Sequence, residues 1–155
     1  MAVLRLHRVL PVEHVAIDPT VGDREELFRL FAEIFYASGL VKRVDDVVRS
    51  LREREDILST GIGHGVAVPH AQIEGLGALA VAASTHPRGL PYTALDGRPV
   101  RLAFCLVGDA DTTVDHLAGL ARLARLARRA DAIDSLVACK SGDQFLAALQ
   151  KLEDA

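Results

Sequence analysis

Three side chains stand out as able to do chemistry, His70, His116 and Arg54, and together they suit the handling of a phosphoryl group. His70 follows the short extended run Val66-Ala67-Val68 and Pro69, which restricts the backbone entering it. A neutral imidazole, with an ordinary pKa of about 6.5, is a nitrogen nucleophile at pH 7 and needs no activating base. Just upstream, Gly61, Gly63 and Gly65 fall within five residues, a loop whose backbone N–H groups can form an anion-binding concavity. Arg54, at the end of a helix, offers its guanidinium fork to an anion. His116 falls in the first turn of another helix, where the dipole disfavours imidazolium and favours a nearby anion. Spacing alone does not show that these groups converge.

Other chemistries find little footing. The remaining histidines at 7, 14 and 86 read as surface or internally satisfied residues, and His64 as a loop residue. There is no HExxH, no histidine pair at i, i+4 and no Cys/His cluster, so no metal site is expected. A GxSxG serine elbow is absent, and GIGHGVAVPH lacks the ending of a Walker A loop.

The elements that must position these groups follow from periodicity. Asp23 with Glu26 opens a helix carrying Leu27, Leu30, Phe31, Ile34 and Phe35 on one side, closed by Gly39. A second helix starts near Asp45, with Val44, Val47, Val48 and Leu51 inward, and ends around residues 54–56. Strands are expected at 66–68, 76–84 and 100–107, with turns at His86-Pro87-Arg88-Gly89 and Leu95-Asp96-Gly97-Arg98. Thr112 or Thr113 caps a long helix whose inner face is read as Leu117, Leu120, Ala121, Leu123 and Ala124. A short helix at 133–138 and a last one opened by Ser141, with Phe145, Leu146, Leu149 and Leu152 inward, complete the chain. The order gives an α/β fold, a three-layer α/β/α sandwich with a single mixed β-sheet flanked by helices.

Composition narrows the class. The 155 residues suit one domain spanning 1–155, half of them hydrophobic, with no linker or repeat. A net charge of −3 gives no electrostatic case for nucleic acid, and Arg122, Arg125 and Arg129 read as a solvated helix face. No apolar run approaches the roughly 20 residues of a membrane span, and no signal peptide is recognised. Cys105 and Cys139 read as reduced thiols of a cytoplasmic protein.

The block Arg54-Glu55-x-x-x-Ser59-Thr60-Gly61-Ile62-Gly63-His64-Gly65-Val66-Ala67-Val68-Pro69-His70 resembles the signature of the fructose/mannitol-type IIA component (EIIA type-2) of the bacterial phosphotransferase system, a family that includes nitrogen-regulatory IIA-like proteins. Leu95-Asp96-Gly97-Arg98-Pro99-Val100 is similar to its DGxPV segment, and Asp115-His116-Leu117 to the start of its HLxxLAxLA helix. The resemblance implies a phosphotransferase component acting as a transient phosphohistidine carrier. His70 accepts a phosphoryl group from the phosphocarrier HPr, or a nitrogen-branch relative of it, and His116 and Arg54 orient and neutralise the group. The group passes to a cysteine of a IIB partner for sugar uptake; alternatively the phosphorylation state controls binding to regulatory target proteins. A degenerate, non-phosphorylated binding module is the third reading. A chain without an HPr-like, IIB or membrane region mildly favours regulation.

Two departures stand out. Ala71-Gln72 replaces a Gly-Arg or Gly-Lys that often follows the histidine, removing a cation. Val107-Gly108-Asp109 replaces a frequent Val-Pro ahead of His116, leaving that loop's geometry in question.

Overall fold

The computed structural model describes residues 4–94 and 96–155; Leu95, the first residue of one expected turn, and the first three residues of the chain lie outside the described residues. The chain runs α1 (Leu6–Val9), a 3₁₀ turn at Val12–His14, β1 (Val15–Ile17), α2 (Arg24–Ala37), α3 (Val44–Ile57), β2 (Gly61–Gly63), β3 (Val66–Ala67), β4 (His70–Gln72), β5 (Ala80–Leu90) and β6 (Val100–Gly108). After a second 3₁₀ turn at Ala110–Thr112 come α4 (Thr113–Ala127), α5 (Ala130–Val137) and α6 (Gly142–Asp154).

One mixed sheet has the order β1-β5-β6-β3-β2, with β4 paired to β6 beyond β3. Alternation along β6 splits the core in two. Ala103, Cys105 and Val107 face α2 and α3, where Phe28, Phe31 and Phe35 fill the space that small strand residues leave. Leu102, Phe104 and Leu106 face α1, α4, α5 and α6. The expected three-layer α/β/α sandwich is therefore the observed one.

Local chemistry accounts for the helix ends. Asp23 accepts the Glu26 N–H, while Glu26 reaches back to the N–H of Gly22 rather than Asp23, so only half the expected capping box forms. Gly39, at φ +75°, closes α2: its N–H reaches Tyr36 O and the Leu40 N–H reaches Phe35 O. Ser141 caps α6 by accepting the Gln144 N–H.

Several elements differ from their expectation, each for a visible reason. The strand expected at 76–84 begins at Ala80, because residues 73–79 form a loop with Gly75 and Gly77 at positive φ. It then runs through His86-Pro87-Arg88-Gly89, which is not a turn. Partner β1 stops at Ile17, opposite Thr85, so Pro87 has no ladder bond there to lose, and a register shift between Thr85 and Leu90 absorbs the extra residues. The strand after the glycine loop pauses at Val68-Pro69 and resumes as β4, so His70 begins a strand rather than following one. On α4 the buried side is His116, Gly119, Leu123 and Ala127, while Leu117, Ala121 and Ala124 are exposed. Gly119 explains the rotation: a Cβ there would lie 2.8 Å from Leu106 Cδ2, so α4 sits down on β6 at its glycine. Elements as short as α1 and β1 carry no periodicity and were not expected.

The two ends of the described chain are joined. The Glu153 carboxylate, 3% exposed, accepts the backbone N–H groups of Leu6 (2.8 Å) and His7 (2.7 Å), pairs with the His7 ring and accepts from Arg122 of α4. Burial alone would raise its pKa, but these donors outweigh it and hold the carboxyl below the usual range.

Gly61, read from sequence as part of an anion loop, has a packing duty. A Cβ on it would lie 2.5 Å from Thr93 O and 2.9 Å from Ala94 Cα. Gly61→Ala is expected to lose about 1–3 kcal/mol of stability as the 92–94 segment is pushed off; a urea midpoint equal to wild type would refute this close approach.

Candidate functional site

The interruption at Pro69 sets His70. Pro69 has no N–H, and its carbonyl accepts from Leu106, continuing the β6 ladder across the gap. The Val68 carbonyl instead lies 2.8 Å from His70 Nδ1. Only a protonated Nδ1 can use that carbonyl, so the neutral ring carries its proton there and leaves the Nε2 lone pair free. Burial, aided by the positive charge of Arg54, lowers the His70 pKa against the opposing pull of the Val68 carbonyl and Glu55. The ring is therefore neutral at pH 7, half-buried, and has one nitrogen lone pair free.

His116 approaches from α4. Its ring centroid lies 5.4 Å from that of His70, the planes at 71°. Its Nδ1 is sealed from solvent with no partner among the described residues. A proton on that nitrogen would be an orphaned buried donor, so the favourable neutral form carries it on Nε2. Burial, and then the neighbouring His70, lowers its pKa. Gly108 gives the ring its room: a Cβ there would stand 2.4 Å from Thr112 Oγ1 and 3.3 Å from His116 Nδ1. Asp109 completes the loop by accepting the N–H groups of Asp111 and Gly77, while its own N–H reaches Thr112 Oγ1 (2.9 Å). The departure at 107–109 thus leaves α4 well anchored.

Arg54 comes from the last turn of α3, with Nη1 2.8 Å from Leu58 O. It joins His70, Gln72, Thr113, His116 and Leu117 around one cleft of about 480 Å³ between α3 and α4, and is the only Lys or Arg among the described lining residues. Both residues after His70 line the cleft, Ala71 as a buried residue packed with the α2/α3 layer and Gln72 as the exposed one. The absence of a cation is therefore felt at position 72. Nucleophilic nitrogen, N–H donor, guanidinium and the start of a 15-residue helix suit a tetrahedral anion bonded to His70 Nε2.

The structure brings His70, His116 and Arg54 together and does not bring Gly61, Gly63 and Gly65 to them. The glycines build the β2–β3 hairpin, whose Gly65 carbonyl accepts from Arg101 and Leu102 at the start of β6, whereas His70 pairs at Leu106 near its end. Four residues of strand, roughly 13 Å, separate the two places. His64 sits at the hairpin tip at φ 59°, its N–H held by Asp96. His14 bonds the Val81 carbonyl and Ser38, and His86 bonds Ser84, all away from the cleft. Among the described residues no three His, Cys, Asp or Glu side chains gather to hold a metal ion, and no helix is long and apolar enough to cross a membrane. Sequence reasoning passed over Glu55, which is buried beside Arg54; its place inside the quoted block was the available signal.

Residues 8–152 match the family described as "Phosphoenolpyruvate-dependent sugar phosphotransferase system, EIIA 2". Over 141 residues the chain is 26% identical to the "PTS system fructose-specific EIIA component" of Haloferax volcanii, covering 91% of this chain and 92% of that one. It superposes on the "Nitrogen Regulatory Protein IIA-Ntr" of Neisseria meningitidis with a TM-score of 0.86 and 30% identity, over 93% and 98% of the two chains. The fold is also that of the "Complex of enzyme IIAMTL and phosphorylated enzyme IIBMTL" from Escherichia coli, at a TM-score of 0.75 and 19% identity, over 91% and 96%.

The histidines tie stability to pH. Unfolded, each titrates near about 6.5. Folded, His70 and His116 lie lower, and burial takes His86 down to about 4. Below the unfolded value the unfolded chain binds protons that the folded one refuses, so stability is complete above it and declines as pH falls toward the folded values. The urea midpoint is expected to drop between pH 7 and pH 5, with a shallower drop in His86→Gln. An unchanged midpoint across that window would contradict the neutral, buried state of these rings.

Proposed function

The chain belongs to the EIIA 2 family of the phosphoenolpyruvate-dependent sugar phosphotransferase system, and from that we propose that it is a phosphoryl carrier whose acceptor atom is Nε2 of His70. The observation that carries this reading is the bond from His70 Nδ1 to the Val68 carbonyl, which leaves one nitrogen lone pair free beside His116 and Arg54. Nε2 attacks the phosphorus of a donor phosphohistidine; the new N–P bond forms as the donor's N–P bond breaks, and the donor ring departs neutral. The proton stays on Nδ1, where the Val68 carbonyl supports the positive ring that results. Arg54 and the His116 Nε2–H meet the phosphoryl oxygens, so the protein supplies position and charge rather than covalent chemistry. No metal or organic cofactor takes part in this reading.

Donor and recipient are proteins: HPr or its nitrogen-branch relative on one side, the cysteine of a IIB component on the other. The rim of the cleft supports this, with Ile57 80%, Leu58 64%, Val114 77% and Leu117 62% exposed, an apolar collar suited to excluding water under a docked protein. A second reading, in which the phosphorylation state controls binding to regulatory target proteins, is favoured by the likeness to the Neisseria IIA-Ntr protein.

Phosphoenolpyruvate with purified Enzyme I and HPr tests the reading by intact mass. The wild type is expected to gain one phosphate, labile to acid and stable to base, and His70→Ala none. His116→Ala and Arg54→Ala should each slow the gain by about 10²-fold, the scale of losing one transition-state donor. A gain that persists without His70 refutes the acceptor assignment, and no gain from either branch's donors leaves a binding module. For the collar, Leu117→Asp should raise the KM for phosphorylated HPr severalfold while leaving the urea midpoint alone; an unchanged KM would place the docking surface elsewhere.

A further inference from the structure

Glu55 is a costly residue where it stands. It occupies the last turn of α3, against the negative end of the helix dipole, and is only 4% exposed. No Lys, Arg or His among the described residues lies within ion-pair distance of it. Its partners are neutral donors on the turn that follows the helix. Oε1 accepts the Thr60 N–H at 2.9 Å and Oε2 accepts the Thr60 hydroxyl at 2.6 Å. The Thr60 proton being so used, the Tyr92 hydroxyl 2.9 Å away donates to Thr60 Oγ1, giving the chain Tyr92 to Thr60 to Glu55. Ser59 donates to Thr93 O and accepts the Gly61 N–H at 3.1 Å.

This network ties down the turn that follows α3, together with the Val68 N–H, which donates to the Thr60 carbonyl at 2.9 Å. Leu58, the residue after α3, is extended at φ −162° and ψ 133°, so the helix ends without a left-handed cap. Its carbonyl is the group that Arg54 grips at 2.8 Å. Arg54 and Glu55, neighbours on the helix, thus hold the same turn from two sides, Arg54 at Leu58 and Glu55 at Thr60.

We propose that Glu55 is the positioning residue of the cleft: by anchoring residues 58–60 through Thr60 and Tyr92, it holds the Leu58 carbonyl where it aims the Arg54 guanidinium at the phosphoryl group on His70. The proposal rests on the phosphoryl-carrier reading. Glu55 neither hydrogen-bonds His70 nor lines the cleft, so its positioning effect passes through Arg54.

The test is a double-mutant cycle on phosphoryl transfer from HPr, using wild type, Glu55→Gln, Arg54→Ala and the double variant. Glu55→Gln is expected to slow transfer by about tenfold, the scale of a displaced group. The double variant should be no slower than Arg54→Ala alone, because the Arg54 guanidinium on which Glu55 acts is already gone. Losses that simply multiply overturn the proposal, since they show an independent, structural effect. Should Glu55→Gln not fold, Tyr92→Phe and Thr60→Val remove the same chain one hydroxyl at a time and enter the same cycle. The Arg54 Nε–H resonance of the unphosphorylated protein gives a readout that needs no transfer. It is expected to move or broaden in the network variants; a resonance identical to wild type refutes the positioning role. If the wild type takes no phosphate, the carrier reading fails by itself and this spectrum alone decides whether Glu55 places Arg54.

Discussion

The hydrogen bond between His70 Nδ1 and the carbonyl of Val68, two residues back along the chain, is the contact on which the cleft depends. The register with β6 turns Gly65 O and Pro69 O toward that strand, so the Val68 carbonyl points to the other side, and with the Thr60 N–H committed to Glu55 it is open to the His70 ring. With the bond in place, one nitrogen is a fixed donor and the other a fixed lone pair, and partial burial keeps the ring neutral. Which ring nitrogen keeps its lone pair is therefore decided by the backbone.

The second ring is placed by the absence of side chains. Gly108 on β6 and Gly119 on α4 let the helix and the turn before it close on the strand, since a Cβ at either would strike Thr112 or Leu106. Close packing of this helix brings His116 within ring contact of His70 and closes its Nδ1 against the strand. The turned-out face of the same helix supplies Val114 and Leu117 to the rim, so one rotation sets both the interior donor and the exterior collar.

Much of this was legible in the sequence and some was not. The helices α2, α3 and α6 were readable because each has a long 3.6-residue pattern, and the block running from Arg54 to His70 held two of the three side chains that meet in the cleft. On α4 the pattern HLxxLAxLA offers two apolar faces, and hydrophobicity alone mixed them: Leu120 and Leu123 do turn inward, Leu117, Ala121 and Ala124 do not, and the glycine at 119 marks the difference through a contact with a strand distant in sequence. Proline and glycine at 87 and 89 looked like a turn because the sequence does not reveal where the neighbouring strand β1 stops. The glycines at 61, 63 and 65 were read for their N–H groups when their service is steric: Gly61 lets Thr93 and Ala94 close in, and Gly65 takes a backbone shape at φ +77°. Glu55 passed as a spacer between two recognised residues, since a buried carboxylate in a helix's last turn is not distinguishable, by type and spacing, from a solvated one.

The Glu153 clamp has a consequence for how the chain can be cut and joined. It fastens the amides of Leu6 and His7 to the last turn of α6, so the described chain begins and finishes at one place, braced by Arg122 about two turns along α4 from His116. Entry and exit at a common point make the order of the segments nearly arbitrary: a circular permutant, closed by a short linker across the clamp and opened between Glu74 and Gly75, would leave the segments that carry Arg54, His70 and His116 unbroken. The same geometry allows the whole unit to be set inside a loop of another protein, carrying its cleft outward on a two-point mount.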